Sequence, residues 1–281
     1  MPGIAGVVIL YHPDQGLPQR MSSYLPWLDH LYVIDNSENP SRLMNQYPKI
    51  QYIADGMNQG IAARINQAAT MSIQAGYQWL LTLDQDSFFE GNSLEQYLHC
   101  IEGYPAKNDT AVFGVQFTNR KLSHSQCNAE EALDLITSGS IINLEHFFAV
   151  GGYDEKLFID QADYDFSFRC KMNGFKVVRM KNIFMQHSLG KQSQHISFKT
   201  FRKTSRSLHN PVRIYYMLRN YLYMKKTYGD QFPKEISHMK KDLRYRLKNN
   251  FLYHPEKLGM IQYTWRAYRD FKAGRMGKLG R

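Results

Sequence analysis

The sequence predicts an α/β fold, a mostly parallel sheet flanked by helices, followed by a basic and mainly helical C-terminal extension. Three observations predict it. Short β-branched apolar runs alternate with helical periodicities, three of those runs end in polar side chains, and charge divides sharply along the chain. Alternation at this rhythm gives parallel strands joined by helical crossovers. In such sheets ligands bind outside the carboxyl ends of the strands.

Residues 4–10 (IAGVVIL) read as a buried strand that stops at Tyr11-His12-Pro13. A helix-like stretch through Leu25 and Leu28 follows. A second strand, 31–34, runs into Asp35-Asn36-Ser37, and 50–53 gives a third. After Asn58-Gln59-Gly60, residues Ile61, Ile65, Ala68, Ala69 and Ile73 recur at helical spacing, and Gly76 is a suitable stop. Residues 79–83 form the fourth strand and lead into Asp84-Gln85-Asp86-Ser87. Further strands are expected at 111–115, 139–144 and from 175, with a helix over 162–172 closed by Asn173-Gly174. There is no repeat of fixed period and no low-complexity tract.

A hydrophobic content of 43% with 14% aromatics indicates a packed core rather than disorder. The first residues lack the basic lead and apolar stretch of a signal peptide. No run approaches the roughly 20 apolar residues of a spanning helix. Cys100, Cys127 and Cys170 are odd in number and widely spaced, so reduced, buried thiols in a cytoplasmic protein are expected. The net charge of +10 hides a division: 14 Lys+Arg face 20 Asp+Glu in residues 1–195, against 21 and 5 in 196–281. That asymmetry marks a boundary near residue 195.

Asp84 and Asp86, one residue apart in extended chain, point to the same side. Two hard carboxylates at a strand end suit a divalent cation that neutralises a diphosphate; a loop capping the next helix is the plainer alternative. Asp160, Asp163 and Asp165 form a second acidic cluster. Mutual repulsion raises the proton affinity of one member unless a cation relieves it, which suits Asp163 as a general base. Asp160 reads better as an acid at a solvated helix start. His187 follows a strand and suits coordination or a phosphate bond, although a lone histidine is as readily structural.

In chain order, the pieces around Tyr11, Asp35, Asn58-Gln59-Gly60, Asp84-Gln85-Asp86, Thr137-Ser138-Gly139, Gly151-Gly152-Tyr153-Asp154, Asp160-Gln161-Ala162-Asp163, His187-Ser188-Leu189-Gly190 and Arg213 to Asn220 resemble glycosyltransferase family 2, within it the bacterial rhamnosyltransferase-like enzymes. The resemblance implies a GT-A fold, with a catalytic domain over 1–195 (donor half about 1–90, acceptor half about 91–195) and a separate region over 196–281. It implies inversion at the anomeric carbon by direct displacement. Tyr11, Asp35, Asn36 and Asn58 would line the donor's base pocket, with Asp35 accepting from the pyrimidine N3–H. Asp84 and Gln85 would lie near the donor, Asp86 and His187 would hold Mg²⁺ or Mn²⁺, and Asp163 would be the base. Ser138, Gly139, Asp165 and Arg169 are candidates on the acceptor side. Ala162 and Asp165-Phe166 depart from the subgroup's acidic and Glu-Trp pattern, which bears on the acceptor pocket. The donor implied first is dTDP-rhamnose and next a UDP-hexose; the acceptor is a polyprenyl-diphosphate-linked saccharide of bacterial surface polysaccharide.

In the basic region, Ile236, Met239, Leu243, Leu247 and Phe251 form an apolar stripe among Lys240, Lys241, Arg244 and Lys248. Such a helix suits an anionic membrane surface, on the inner face of the cell membrane for this substrate class; the alternative is packing against the rest of the chain. A non-enzymatic basic protein binding membrane or nucleic acid is the rival from another class. No nucleic-acid module is visible, and no nucleic-acid partner is expected. A nucleotidyltransferase is disfavoured because Tyr11-His12-Pro13-Asp14 is no glycine-rich phosphate loop.

Overall fold

The computed structural model describes residues 3–40, 48–117, 126–187, 192–196 and 203–280. They divide into two compact units, Met1–Phe158 with Ala162–Ser188, and Ile159–Gln161 with Leu189–Arg281.

The first unit holds β1 (Ile4–Leu10), α1 (Leu17–Met21), β2 (His30–Asp35), β3 (Ile50–Ala54), α2 (Gly60–Gln74), β4 (Trp79–Asp84), β5 (Ser87–Phe89) and α3 (Ser93–Glu102). It continues with β6 (Thr110–Phe117), β7 (Ala129–Glu131), β8 (Ser140–Asn143), α4 (Leu144–Ala149), α5 (Ala162–Met172) and β9 (Lys176–His187). Its sheet runs β3-β2-β1-β4-β8-β6-β9-β5, with β7 also on β9. Strands β1 to β4 are mutually parallel. Beyond β4 the sheet is mixed, since β8 opposes both its neighbours while β6 and β9 run together.

The apolar runs become strands because burial on both faces rewards continuous Val, Ile and Leu. In β1 and β4 nearly every residue is buried, each large side chain contributing about 1.5–3 kcal/mol. Helix α2 keeps its predicted place, and Gly76 follows its end with φ +84°. The expected helix near residues 25–28 is a three-residue 3₁₀ turn, Leu25–Trp27, and the α-helix lies earlier, at α1. The segment 139–144 is strand only to Asn143, whose side chain caps α4, and the strand begun at 175 runs on to His187.

The expectation of three reduced thiols is corrected. Cys100 on α3 and Cys127 are joined by a disulfide, S–S 2.06 Å, and only Cys170 is a thiol. Asn182 on β9 explains the meeting: it accepts from the Asn128 N–H at 3.0 Å and donates to Cys100 Sγ at 3.6 Å. Burial pushes the Cys170 thiol up to about 12, so it stays protonated.

The second unit contains β10 (Gln192–Ile196) and β11 (Lys203–Ser207), paired antiparallel, and three helices, α6 (Pro211–Tyr228), α7 (Pro233–Tyr253) and α8 (Lys257–Lys272). Ile236, Met239 and Leu243, the residues expected to face a membrane, are buried here, and α7 packs on α6. Leu247 and Phe251 of the same stripe are half-buried. No described helix is long and apolar enough to cross a membrane.

Candidate active site

Strand register builds one edge of the site. Leu10 pairs with Asp35 and Ile9 with Asp84, so the carboxyl ends of β1, β2 and β4 bring Tyr11, Asp35 and the Asp84-Gln85-Asp86 turn together. Gln85 ties the turn to β1: its Oε1 accepts from the Tyr11 N–H at 2.8 Å, and its Nε2 donates to the Tyr11 carbonyl at 3.1 Å. The Tyr11 ring remains 46% exposed, open for stacking on a planar group.

Behind that edge lies a dense polar network. Asp35 is fully buried; one oxygen accepts from the Ser37 N–H at 3.0 Å and the other from the Tyr52 hydroxyl at 2.8 Å. Asn36 donates to Asn58 Oδ1 at 3.0 Å, and its own Oδ1 accepts from the Gln59 N–H and from Arg64 Nε. Arg64, only 1% exposed, also donates to Asp55 at 2.5 Å, to the Met57 carbonyl at 2.7 Å and to Gln67 at 3.0 Å. Its guanidinium holds the Asp55 carboxyl below the usual range. One buried cation on α2 thereby fixes both Asn36 and the 55–58 loop.

The same helix reaches the turn before α5. Asn66 grips Tyr153 by both backbone groups, accepting from its N–H at 2.9 Å and donating to its carbonyl at 3.0 Å. Gly60 is required where α2 begins: at φ +85°, an added Cβ would stand 2.5 Å from the Phe158 carbonyl oxygen.

The Ser138-Gly139 segment is seated beside the first acidic motif. The Asp84 N–H donates to Ser138 Oγ at 2.8 Å, and Ser138 donates to Ser87 Oγ at 3.0 Å. Gly139, at φ +75°, donates its N–H to the Thr82 carbonyl at 2.7 Å, seating this segment on β4. Burial first, then the Asp163 charge, pushes the Tyr153 phenol up. Asp163 stands half-buried in the first turn of α5, accepting from the Tyr164 N–H at 2.9 Å.

Asp165 and Arg169 form an ion pair. Asp165 is buried and receives two guanidinium bonds from Arg169, at 2.9 and 2.6 Å, while Arg169 also donates to the Val150 carbonyl at 2.6 Å. The pair locks α5 to the turn before Tyr153. In the second unit, Asp160 pairs with Arg213 at 3.0 Å. Guanidinium partners therefore relieve two of the three acids, where the sequence suggested mutual repulsion.

Pairing of β5 with β9 sets Ser87 opposite His187, so His187 meets the chain next to Asp86. The His187 side chain lies outside the described residues. Among the described residues no group of three or more His, Cys, Asp or Glu gathers as a metal site. Carboxylate oxygen and imidazole are both donors suited to Mg²⁺ or Mn²⁺.

Two features escaped sequence reasoning. Arg20, on the short helix α1, donates to the Gln85 carbonyl at 2.6 Å and to Asp14 at 2.7 Å, placing a cation beside the acidic turn. Its guanidinium lowers the Asp14 carboxyl. A cavity of about 240 Å³ is lined by Val115, Gln116, Phe117, Asp134, Ile136 and Arg179. Ile136 of its lining lies two residues before Ser138 in the chain.

The chain is 27% identical over 248 residues to a dTDP-rhamnosyl transferase, RfbF, of Shigella flexneri. The match covers 80% of this chain and 81% of that relative. No family model matches it. Likeness over this length supports a glycosyltransferase, and the mixed α/β sheet flanked by helices is compatible with one.

Proposed function

We propose that the protein is an inverting, metal-dependent glycosyltransferase of the GT-A type and of family 2, transferring a sugar from a nucleotide donor to a lipid-linked saccharide. The observation that carries this reading is the strand register that brings Tyr11, Asp35 and the Asp84–Asp86 turn together at the carboxyl ends of β1, β2 and β4. dTDP-rhamnose is the first donor to test, given the similarity to RfbF, and a UDP-hexose the second.

On this reading Tyr11 stacks on the base, Asp35 and Asn58 shape its pocket, and Arg20 draws the diphosphate toward the acidic turn. Asp86 with His187 would hold Mg²⁺ or Mn²⁺, which when bound would offset charge on the departing diphosphate. Asp163 removes the proton from the acceptor hydroxyl as its oxygen bonds the anomeric carbon from the opposite face. The bond from that carbon to the β-phosphate oxygen breaks, and the nucleoside diphosphate leaves with the electron pair. The 240 Å³ cavity takes the acceptor sugar. Phe117 and Ile136 offer apolar faces, Gln116 offers hydrogen bonds, and the Asp134–Arg179 pair, 2.5 Å apart, leaves no net cation for a phosphate.

A polyprenyl-diphosphate carrier for the acceptor places the enzyme peripherally on the cytoplasmic face of the membrane. The deciding experiment is Asp163→Asn. Binding of dTDP-rhamnose, followed by calorimetry with Mg²⁺ present, should persist, while transfer falls by about 10²–10⁴-fold. Undiminished transfer would falsify the assignment of the base.

A further inference from the structure

Helix α8 has two apolar sides, and only one is used in the fold. Met260 and Ala267 are buried on the inner side. Asp270, also buried, accepts from the Tyr215 hydroxyl at 2.8 Å and from Arg275 at 2.7 and 2.9 Å. Opposite them stand Leu258, Ile261, Trp265 and Tyr268, exposed by 84, 58, 60 and 43%. Steps of three, four and three residues put all four along one stripe. The Trp265 and Tyr268 ring centroids are 6.2 Å apart, which makes the stripe continuous at its C-terminal end.

Single exposed apolar side chains need no explanation, but four aligned on one helix mark a surface that something covers. From these observations we propose that the outer face of α8 lies on an anionic lipid bilayer. Charge selects this occupant. Lys257, Arg266, Arg269 and Lys272 belong to the same helix, while its only acid, Asp270, is turned inward and already bonded. A second copy would set these cations against their own equivalents, whereas anionic headgroups attract all of them. Leu258 and Ile261 enter the acyl boundary, and Trp265 and Tyr268 occupy the headgroup level that suits amphipathic rings.

The inference deepens the peripheral placement proposed above and rests on it, but not on the identity of the donor. The test is co-sedimentation with vesicles of phosphatidylcholine alone or mixed with phosphatidylglycerol, alongside calorimetric titration with dTDP-rhamnose and UDP-glucose. The unaltered protein should pellet with the phosphatidylglycerol vesicles and come off at high salt. Ile261→Ser and Trp265→Ser should each lower the partition about tenfold. Arg269→Glu with Lys272→Glu should weaken it as strongly, and every variant should keep its sugar-nucleotide affinity. Three results would overturn the proposal: no vesicle binding by the unaltered protein, equal binding by the serine variants, or a solution dimer that Trp265→Ser dissolves. Failure to bind any sugar nucleotide, with vesicle binding intact, would instead remove the transferase reading and leave the membrane surface standing.

Discussion

The network around Arg64 and the outer face of α8 invert each other. In the first, a cation is buried and every partner given to it is a hydrogen-bond acceptor. In the second, large apolar side chains stand in water with no counterpart in the fold. Neither is how a chain would be built for stability alone. Burying a guanidinium costs solvation that only complete pairing offsets, and exposing Trp265 and Leu258 forgoes burial. Both departures are positional, one behind the candidate donor pocket and one on the basic extension. What separates a site from the rest of a fold here is polarity on the wrong side of the surface.

The comparison breaks most readily at Arg64. Arg64→Leu leaves the Asn36 carbonyl and the Asp55 carboxylate without their shared donor, and should destabilise the first unit by about 3–5 kcal/mol in urea unfolding. Arg64→Lys keeps the charge but cannot span four acceptors, so it should recover only part of that loss. Sugar-nucleotide affinity should fall with both, since the 55–58 loop and Asn36 are released together. A loss below about 1 kcal/mol for Arg64→Leu would show that the loop is held by other means.

How much of this was legible in the sequence follows from the range of the signal. The strands at β1, β2 and β4, the helix α2 with its stop at Gly76, and the helix over 162–172 all rest on local periodicity, and all stand where it put them. Juxtaposition of the strand ends also follows, because parallel register is dictated by the alternation. Arg20 was invisible because a five-residue helix is too short to show a period. The disulfide was invisible because Asn182, which draws Cys127 toward Cys100, lies far from both in the chain. The two basic helices are the sharpest lesson. Periodicity shows that α7 has an apolar face but not whether protein already covers it, and the structure shows that it does.

A smaller effect sharpens the comparison on the side of the second unit. His209 Nε2 lies 2.9 Å from the Arg246 guanidinium, and the neighbouring backbone N–H is taken by Asn250. Burial, with Arg213 and Arg246 adding to it, lowers His209 from 6.5 to about 4. The folded state therefore holds this imidazole neutral while the unfolded chain takes up a proton. Stability from this group is complete above about pH 6.5 and is lost as pH falls toward about 4, on the order of 1–2 kcal/mol after allowing for partial exposure. His209→Gln should flatten that part of the pH dependence of the unfolding midpoint. A slope unchanged by the substitution would assign the loss to other groups.

The smallest expected effect is the most diagnostic of the α8 face. Leu258→Ser and Trp265→Ser remove side chains that have no buried contacts to lose, so each should shift unfolding in urea by less than about 0.5 kcal/mol. The same chemical change at an interior position would cost several times more, as Met239 is buried against its own unit. If the serine variants unfold markedly earlier in the absence of lipid, the stripe is already packed against something in the isolated protein, and exposed hydrophobicity ceases to argue for a bilayer. If they unfold together with the parent while vesicle binding falls, stability and attachment are separable on one helix. Its inner face then belongs to the fold and its outer face to the membrane.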